Sequence, residues 1–278
     1  MAFERLGGRT LDYEPCRYGG SKLLFRGPGR RLDRPYAAFL GGTETYGRFI
    51  ARPFPELVEA QTGLTCVNLG WPNAGVDVFL KDTSILRIAR CARVTVVQLP
   101  CAQNLTNKYY RVHPRRNDRF LGPSPLLRSV FDEVDFTQFH FTGHLVRHLR
   151  QVSPKRFTPV RAALQQAWIA RMRRLVGRIG EPVILWWFSL RAAGAAPDAD
   201  FAGGMPALVN RLMLDGVGQP GVELVEVPIS SEARAEGCTR MVFDQTEAAA
   251  ARNLPGAMAH EEAATALAPV LAAQIGSA

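Results

Sequence analysis

The chain has 278 residues, 47% hydrophobic and 21% charged, a balance that supports a substantial folded core and excludes a disordered or collagen-like chain. Its net charge of +9 comes mainly from arginine, whose planar fork of donors suits carboxylate, phosphate and sulfate groups and serves solubility equally well. No apolar run reaches the roughly 18 residues of a membrane span, and the five scattered cysteines lack CxxC or Cys/His zinc spacing, so reduced thiols and no metal or other cofactor are expected.

The opening MAFERLGGRTLDYEP is acidic in part and has no apolar h-region, so no secretory signal is expected and a cytoplasmic location is. Residues 1–34 read as an irregular arm packed on the domain. Pro35 then leads into Tyr36-Ala37-Ala38-Phe39-Leu40, a buried strand that stops at Gly41-Gly42. A helix follows up to Gly63, interrupted early by Pro53 and Pro55. Thr65–Gly70 is the second strand, 74–91 a helical stretch, and Val94–Leu99 a third strand whose β-branched run suits burial on both faces. Residues 101–155 form a basic insertion rich in histidine and aromatics, with one helix near 134–150. A long amphipathic helix at 158–179 precedes the most apolar strand, Val183–Phe188. Residues 205–214 read as helix, Val222–Val227 as a strand near a sheet edge, and 259–275 as a closing helix. No internal repeat is present.

Strands alternating with helices imply right-handed crossovers and a mainly parallel sheet of about five strands, a single α/β domain of the flavodoxin-like kind over 1–278. In such sheets ligands bind beyond the carboxyl ends of the strands. The loops to examine are therefore 41–47, 70–75, 100–107, 189–203 and 228–260.

The first loop is Gly41-Gly42-Thr43-Glu44-Thr45-Tyr46-Gly47. It turns sharply from strand to helix. It can present a hydroxyl nucleophile, hold an anion on helix N–H groups, or simply turn the chain with Thr43 as cap. The second, Asn68-Leu69-Gly70-Trp71-Pro72-Asn73-Ala74-Gly75, offers backbone N–H groups to a developing oxyanion. The third, Ala102-Gln103-Asn104-Leu105-Thr106-Asn107, offers side-chain amides. Pro255-Gly256-Ala257-Met258-Ala259-His260 precedes the last helix and can bring an imidazole over the sheet.

In this order the four blocks resemble the SGNH (GDSL-type) hydrolase superfamily. There, a Gly-Asp-Ser-x-x-x-Gly loop carries the nucleophile, a glycine and an asparagine after the next two strands hold the oxyanion, and a histidine before the last helix is the base. The resemblance implies Thr43 at the serine position, with Gly42 beside it. It also implies Gly70 (or Gly75) and Asn104 (or Gln103) as oxyanion donors, and His260 as the base. The sequence departs from that pattern at three places. Gly42 stands for the acidic residue, Thr43 for serine, and Ala257 for the aspartate three residues before the histidine. An orienting carboxylate would then come from Asp244 or Glu247, and Glu44 could instead act as a general base. The chain also resembles a bacterial family carrying the same GGTETYG loop and a downstream HPRRNDRF segment, a resemblance that implies no activity.

The insertion places Lys108, Arg111, Arg115, Arg116 and Arg119, with His113, within twelve residues. Facing the crevice, these cations would grip a phosphate, sulfate or carboxylate; facing solvent, they are a charged surface. No recognised nucleic-acid module accompanies them, so nucleic acid is not the expected partner. His140, His144 and His148 recur every four residues without HExxH and read as a half-buried polar face. Three functions stay open. The first is an SGNH-like enzyme acting on an ester or related acyl group of a small or lipid-like anionic substrate. The second is a sulfo- or phospho-group transferase with its anionic donor on the 41–47 loop and the arginines. The third is a non-catalytic binding protein on a degenerated hydrolase fold. Oligomeric state is not legible.

Overall fold

The computed structural model describes residues 11–189, 191–194 and 205–276. Residues 1–10 of the expected arm and most of the 189–203 loop lie outside them. The elements in chain order are β1 (Tyr36–Gly41), α1 (Thr43–Tyr46), α2 (Phe54–Thr62), β2 (Thr65–Gly70), α3 (Val76–Lys81), α4 (Thr83–Cys91) and β3 (Val94–Gln98). There follow β4 (Tyr110–Val112), β5 (Phe120–Pro123), α5 (Pro125–Val130), α6 (Thr142–Val152), α7 (Pro154–Ile179) and β6 (Val183–Ser189). The chain continues through α8 (Arg211–Asp215), β7 (Val222–Pro228), α9 (Ser231–Glu236), α10 (Ala248–Ala251) and α11 (Ala257–Gly276).

Five strands form one parallel sheet in the order β2-β1-β3-β6-β7, as the apolar runs and intervening helices predict. Counting only these strands, the order is 2-1-3-4-5, the doubly wound flavodoxin-like arrangement. Side-chain alternation explains why helices cover both faces. Ala38, Leu40, Val67, Leu69, Val97, Leu185 and Trp187 face one core, with α3, α4 and α7. Ala37, Phe39, Cys66, Val96, Ile184, Trp186 and Phe188 face the other, with α2, α9 and α11. The adjacent tryptophans of β6 thus serve opposite cores, and both are fully buried. At the sheet edge β7 alternates instead, with only Val225 fully buried along it.

Several element boundaries differ from the sequence reading, each for a local reason. The helix expected between Gly42 and Gly63 is two helices, because Gly47 turns left-handed (φ 72°) and Pro53 and Pro55 restart the chain at α2. The stretch 74–91 breaks at Asp82, whose carboxylate accepts from the N–H groups of Ser84 and Ile85 and caps α4. The insertion holds an antiparallel β4–β5 hairpin and two helices rather than one. In place of the expected 205–214 helix a shorter one forms at 211–215, and α7 starts earlier, at Pro154, with Ser153 as its cap. The described part of the arm is pinned by Arg26, a largely buried cation that donates to the carbonyls of Gly47, Ile50 and Ala51.

Candidate active site

In a 2-1-3 strand order the connections from β1 and β3 leave in opposite directions, and the crevice so formed is where doubly wound sheets bind ligands. Here that point is occupied by Gln98, at the end of β3, and by α1, just past β1. Gln98 Oε1 accepts from Gly42 N (3.0 Å), Thr45 N (3.2 Å) and Thr45 Oγ1 (2.6 Å). Three donors on one oxygen fix the orientation of the amide, so its NH₂ must point the other way. It donates to Glu44 Oε2 at 2.9 Å. Gly41 makes this possible: a Cβ there would lie 2.0 Å from Thr45 Oγ1 and 2.6 Å from Gln98 Oε1.

Glu44 is only 4% exposed. Burial pushes its carboxyl above the usual 4.5, opposed in part by the Gln98 hydrogen bond, which favours the charged form. The side chain lines a cleft of about 280 Å³ beyond the ends of β1, β6 and β7. Phe188, Ile229, Ala233 and Leu254 give that cleft apolar walls, and Ser189, Arg252 and Asn253 give it polar groups. A proton-transferring group in a cleft with a mixed lining can act on a small, partly apolar substrate.

Thr43 is placed differently. Its hydroxyl donates to Asn73 Oδ1 (3.2 Å) and accepts from Asn73 N (3.0 Å). The hydroxyl donates and accepts in closing the second loop over α1. Gly70 is likewise structural. Its N–H donates to Asn68 Oδ1 (2.9 Å), and a Cβ would lie 2.3 Å from Tyr46 N, so the residue is glycine for close approach to α1. Gly75 donates its N–H to Asn117 Oδ1 at 3.1 Å. Asn104 Oδ1 accepts from Thr142 Oγ1 at 2.7 Å and is buried. Gln103 is buried with its Oε1 unpaired, while its carbonyl accepts from Tyr110 OH.

His260, expected as the base, is held inside the fold. It is 1% exposed on α11, and its Nδ1 accepts the backbone N–H of Phe54 at 3.1 Å. A backbone N–H can only donate, so the ring proton sits on Nε2 and neither nitrogen retains a lone pair for a nucleophile. Phe54 and Phe188 pack against the ring, and burial holds its pKa down to about 3. Neither proposed orienting carboxylate reaches it: Asp244 accepts from Thr246, and Glu247 pairs with Arg48. His260 caps the first turn of α2, behind the Phe188 wall of the cleft.

The basic segment divides in the same way. Arg111, Arg115 and Arg116 are exposed, and Arg119 is half-buried. His113 Nδ1 accepts from the N–H groups of Arg115 and Arg116, shaping the turn between β4 and β5. Arg116 and Arg119 line a second cleft with Tyr46 and Asn73. Four N–H groups of the expected anion cradle at 41–47 are engaged within the chain. Those of Gly42 and Thr45 go to Gln98, and those of Tyr46 and Gly47 to Gly42 and Thr43 carbonyls. His144 and His148 pack on Phe139, whereas His140 lies before α6.

Gln98, Asn73 and Asp118 are the residues of these sites that the sequence left unassigned. A glutamine ending the run Val94-Thr95-Val96-Val97 was a signal for the first, since a polar side chain at a parallel strand's carboxyl end faces the crevice.

Among solved structures, the chain is similar to a lipase from a goat rumen metagenome, at 10% identity and a TM-score of 0.46 over 84% of this chain and 96% of that one. It is also similar to a carbohydrate esterase family 2 enzyme from Corynascus thermopiles (Myceliophthora fergusii), at 11% identity and a TM-score of 0.47 over 90% and 69% of the two chains. A third such structure is an acetylxylan esterase from Geobacillus stearothermophilus, at 12% identity and a TM-score of 0.42 over 87% and 94%. No curated protein matches the sequence. The chain belongs, over residues 1–275, to the family described as domain of unknown function (DUF6473).

Proposed function

We propose that this protein hydrolyses a small ester or related acyl group, with Glu44 as general base and acid. The observation that carries this reading is the buried Glu44 carboxyl, oriented by Gln98 at the switch point of the sheet and opening on a cleft. In this mechanism the carboxylate takes a proton from a water whose oxygen bonds to the ester carbonyl carbon. The tetrahedral intermediate then collapses, the carbon–oxygen bond to the alcohol breaks, and Glu44 returns the proton to the leaving oxygen. A pKa raised by burial makes the carboxylate a stronger base than an exposed glutamate. The apolar walls of Phe188, Ile229 and Leu254 suit a short acyl chain, and the volume of about 280 Å³ limits its length.

Thr43 is then a positioning residue, holding the Asn73 loop against α1, and the nucleophile is water. The test is turnover of 4-nitrophenyl esters from acetate to octanoate by wild type and by Glu44→Gln, with melting measured in parallel. Loss of a general base lowers turnover by roughly 10²–10⁴-fold. The isosteric amide should leave folding intact and short esters should be preferred. Wild-type turnover in Glu44→Gln would remove Glu44 from the mechanism. A wild type inactive on the whole series would favour a binding protein on this fold, a reading supported by the contacts of the Thr43 hydroxyl to Asn73.

A further inference from the structure

The second cleft, about 550 Å³, lies on the other side of α1. Glu44 lines the first cleft and Tyr46, two residues on, lines the second. Two features set its chemistry. Three guanidinium groups line it, from Arg48, Arg116 and Arg119. Arg48 is neutralised by Glu247 at 2.7 Å. Among the described residues Arg116 and Arg119 form no ion pair within 4 Å, and the charge nearest to both is that of Asp118.

Arg119 is also preorganised. Its guanidinium lies over the Phe141 ring at 4.2 Å, and the backbones of the two residues pair as an isolated antiparallel bridge. Stacking uses the face of the guanidinium and leaves its in-plane N–H donors for an acceptor in the cleft. The opposing polar group is Asp118, half-buried and accepting from Asn73 Nδ2 at 3.2 Å. A carboxyl beside the two arginines offsets part of their charge and can accept a hydrogen bond from a hydroxyl. The cleft therefore combines donors for one oxyanion, an acceptor for hydroxyls, and aromatic surface from Tyr46 and Trp71. Trp71 is itself held by its Nε1–H to Arg115 O at 2.7 Å.

We infer that this cleft binds a phosphate or sulfate monoester with a hydroxylated body, the oxyanion on Arg116 and Arg119 and the hydroxyls toward Asp118. Phosphate and sulfate present the same tetrahedral oxygens to a guanidinium fork. This inference is independent of ester hydrolysis at Glu44.

The experiment is titration calorimetry on the full chain with glucose 6-phosphate and glucose 6-sulfate, and with glucose and inorganic phosphate as the two halves. The whole monoesters should bind more tightly than either half, and the tighter of the two identifies the anion. Arg116→Gln and Arg119→Gln should each weaken binding at least about tenfold, the loss expected for a charge-assisted hydrogen bond. Phe141→Leu, which keeps the charge but removes the stacking platform, should weaken it by less. Arg111→Gln, on β4 and outside the lining of the cleft, should bind as wild type. Glu44→Gln should also bind as wild type, which keeps this site's outcome separate from that of the hydrolytic reading. The inference is overturned if neither monoester binds at millimolar concentration. It is overturned equally if the Arg116 and Arg119 variants bind as wild type, or if Arg111→Gln loses as much affinity as they do.

Discussion

Glu44 and His260 are both ionisable side chains buried within a few per cent of completely, and the cleft wall Phe188 joins their regions: it lines the Glu44 cleft and packs edge-on against the His260 ring. Their surroundings differ in kind. Glu44 rests against a polar amide and opens on a cleft. His260 rests against two aromatic rings and gives its one acceptor nitrogen to a helix N–H. Burial drives both toward the neutral form, yet one lines a cleft and the other joins α11 to the first turn of α2. A shifted pKa therefore marks a candidate catalytic group only when the same group has an open face and an acceptor or donor left to use.

The comparison breaks first at Gln98, on which the Glu44 side depends. Gln98→Leu would leave the Gly42 N–H, the Thr45 N–H and the Thr45 hydroxyl without their shared acceptor and strip Glu44 of its donor. At ~1–3 kcal/mol for each unsatisfied buried donor, denaturant unfolding should show a loss of at least about 3 kcal/mol. A loss below about 1 kcal/mol would mean that the amide does not organise the turn.

His260→Leu tests the other side. It leaves the Phe54 N–H unpaired and should cost about 1–3 kcal/mol in denaturant unfolding. Ester turnover per folded molecule should be unchanged. A large fall in kcat with normal stability would instead return His260 to the chemistry.

The pH dependence of stability sharpens the contrast because the two groups act with opposite sign. Glu44 has a folded pKa above its usual 4.5, so the folded chain holds the extra proton, and stability falls as pH rises above 4.5 toward the folded pKa. His260 has a folded pKa of about 3 against 6.5 unfolded, so the unfolded chain holds the extra proton, and stability falls as pH drops from 6.5 toward 3. Each contributes a slope of up to ~1.4 kcal/mol per pH unit within its window. Glu44→Gln should remove the loss of stability that begins as pH rises above 4.5, and His260→Leu the loss that begins as pH drops below 6.5, read from unfolding curves across pH 4 to 9. Either variant changing stability with the opposite sign would reverse the assignment of the neutral forms.

The smallest effect is expected at Thr43. Thr43→Ala removes the two contacts to Asn73 and should cost about 1 kcal/mol, with ester turnover largely kept. Thr43→Ser keeps both contacts and should match wild type. Abolished turnover in a folded Thr43→Ala would restore the threonine as nucleophile.

Much of the architecture was legible in the residues. The runs of β1, β3 and β6 are apolar without alternation because helices cover both faces of the sheet, and the alternating Val222–Val227 belongs to its edge. Glu44 and the arginines could be named as chemistry-bearing groups from their place after strands. What each one touches could not. His260 follows a Pro-Gly turn as a catalytic histidine of the resembled family would, but its ring enters the core because α11 packs on α2. Arg111 and Arg119 belong to one basic segment, yet only Arg119 meets Phe141, through the bridge beside the β4–β5 hairpin.

The sequence by itself determined the parallel sheet, the strand-end loops and the identity of the groups available for chemistry, since hydrophobic period and glycine placement are local properties of the chain. Only the tertiary structure decided that Gln98 faces Glu44, that Asn73 consumes the Thr43 hydroxyl, and that His260 points inward. Those outcomes depend on the packing of α1, α11 and the 71–74 loop, where shifts of a few ångströms decide whether a hydrogen bond exists at all.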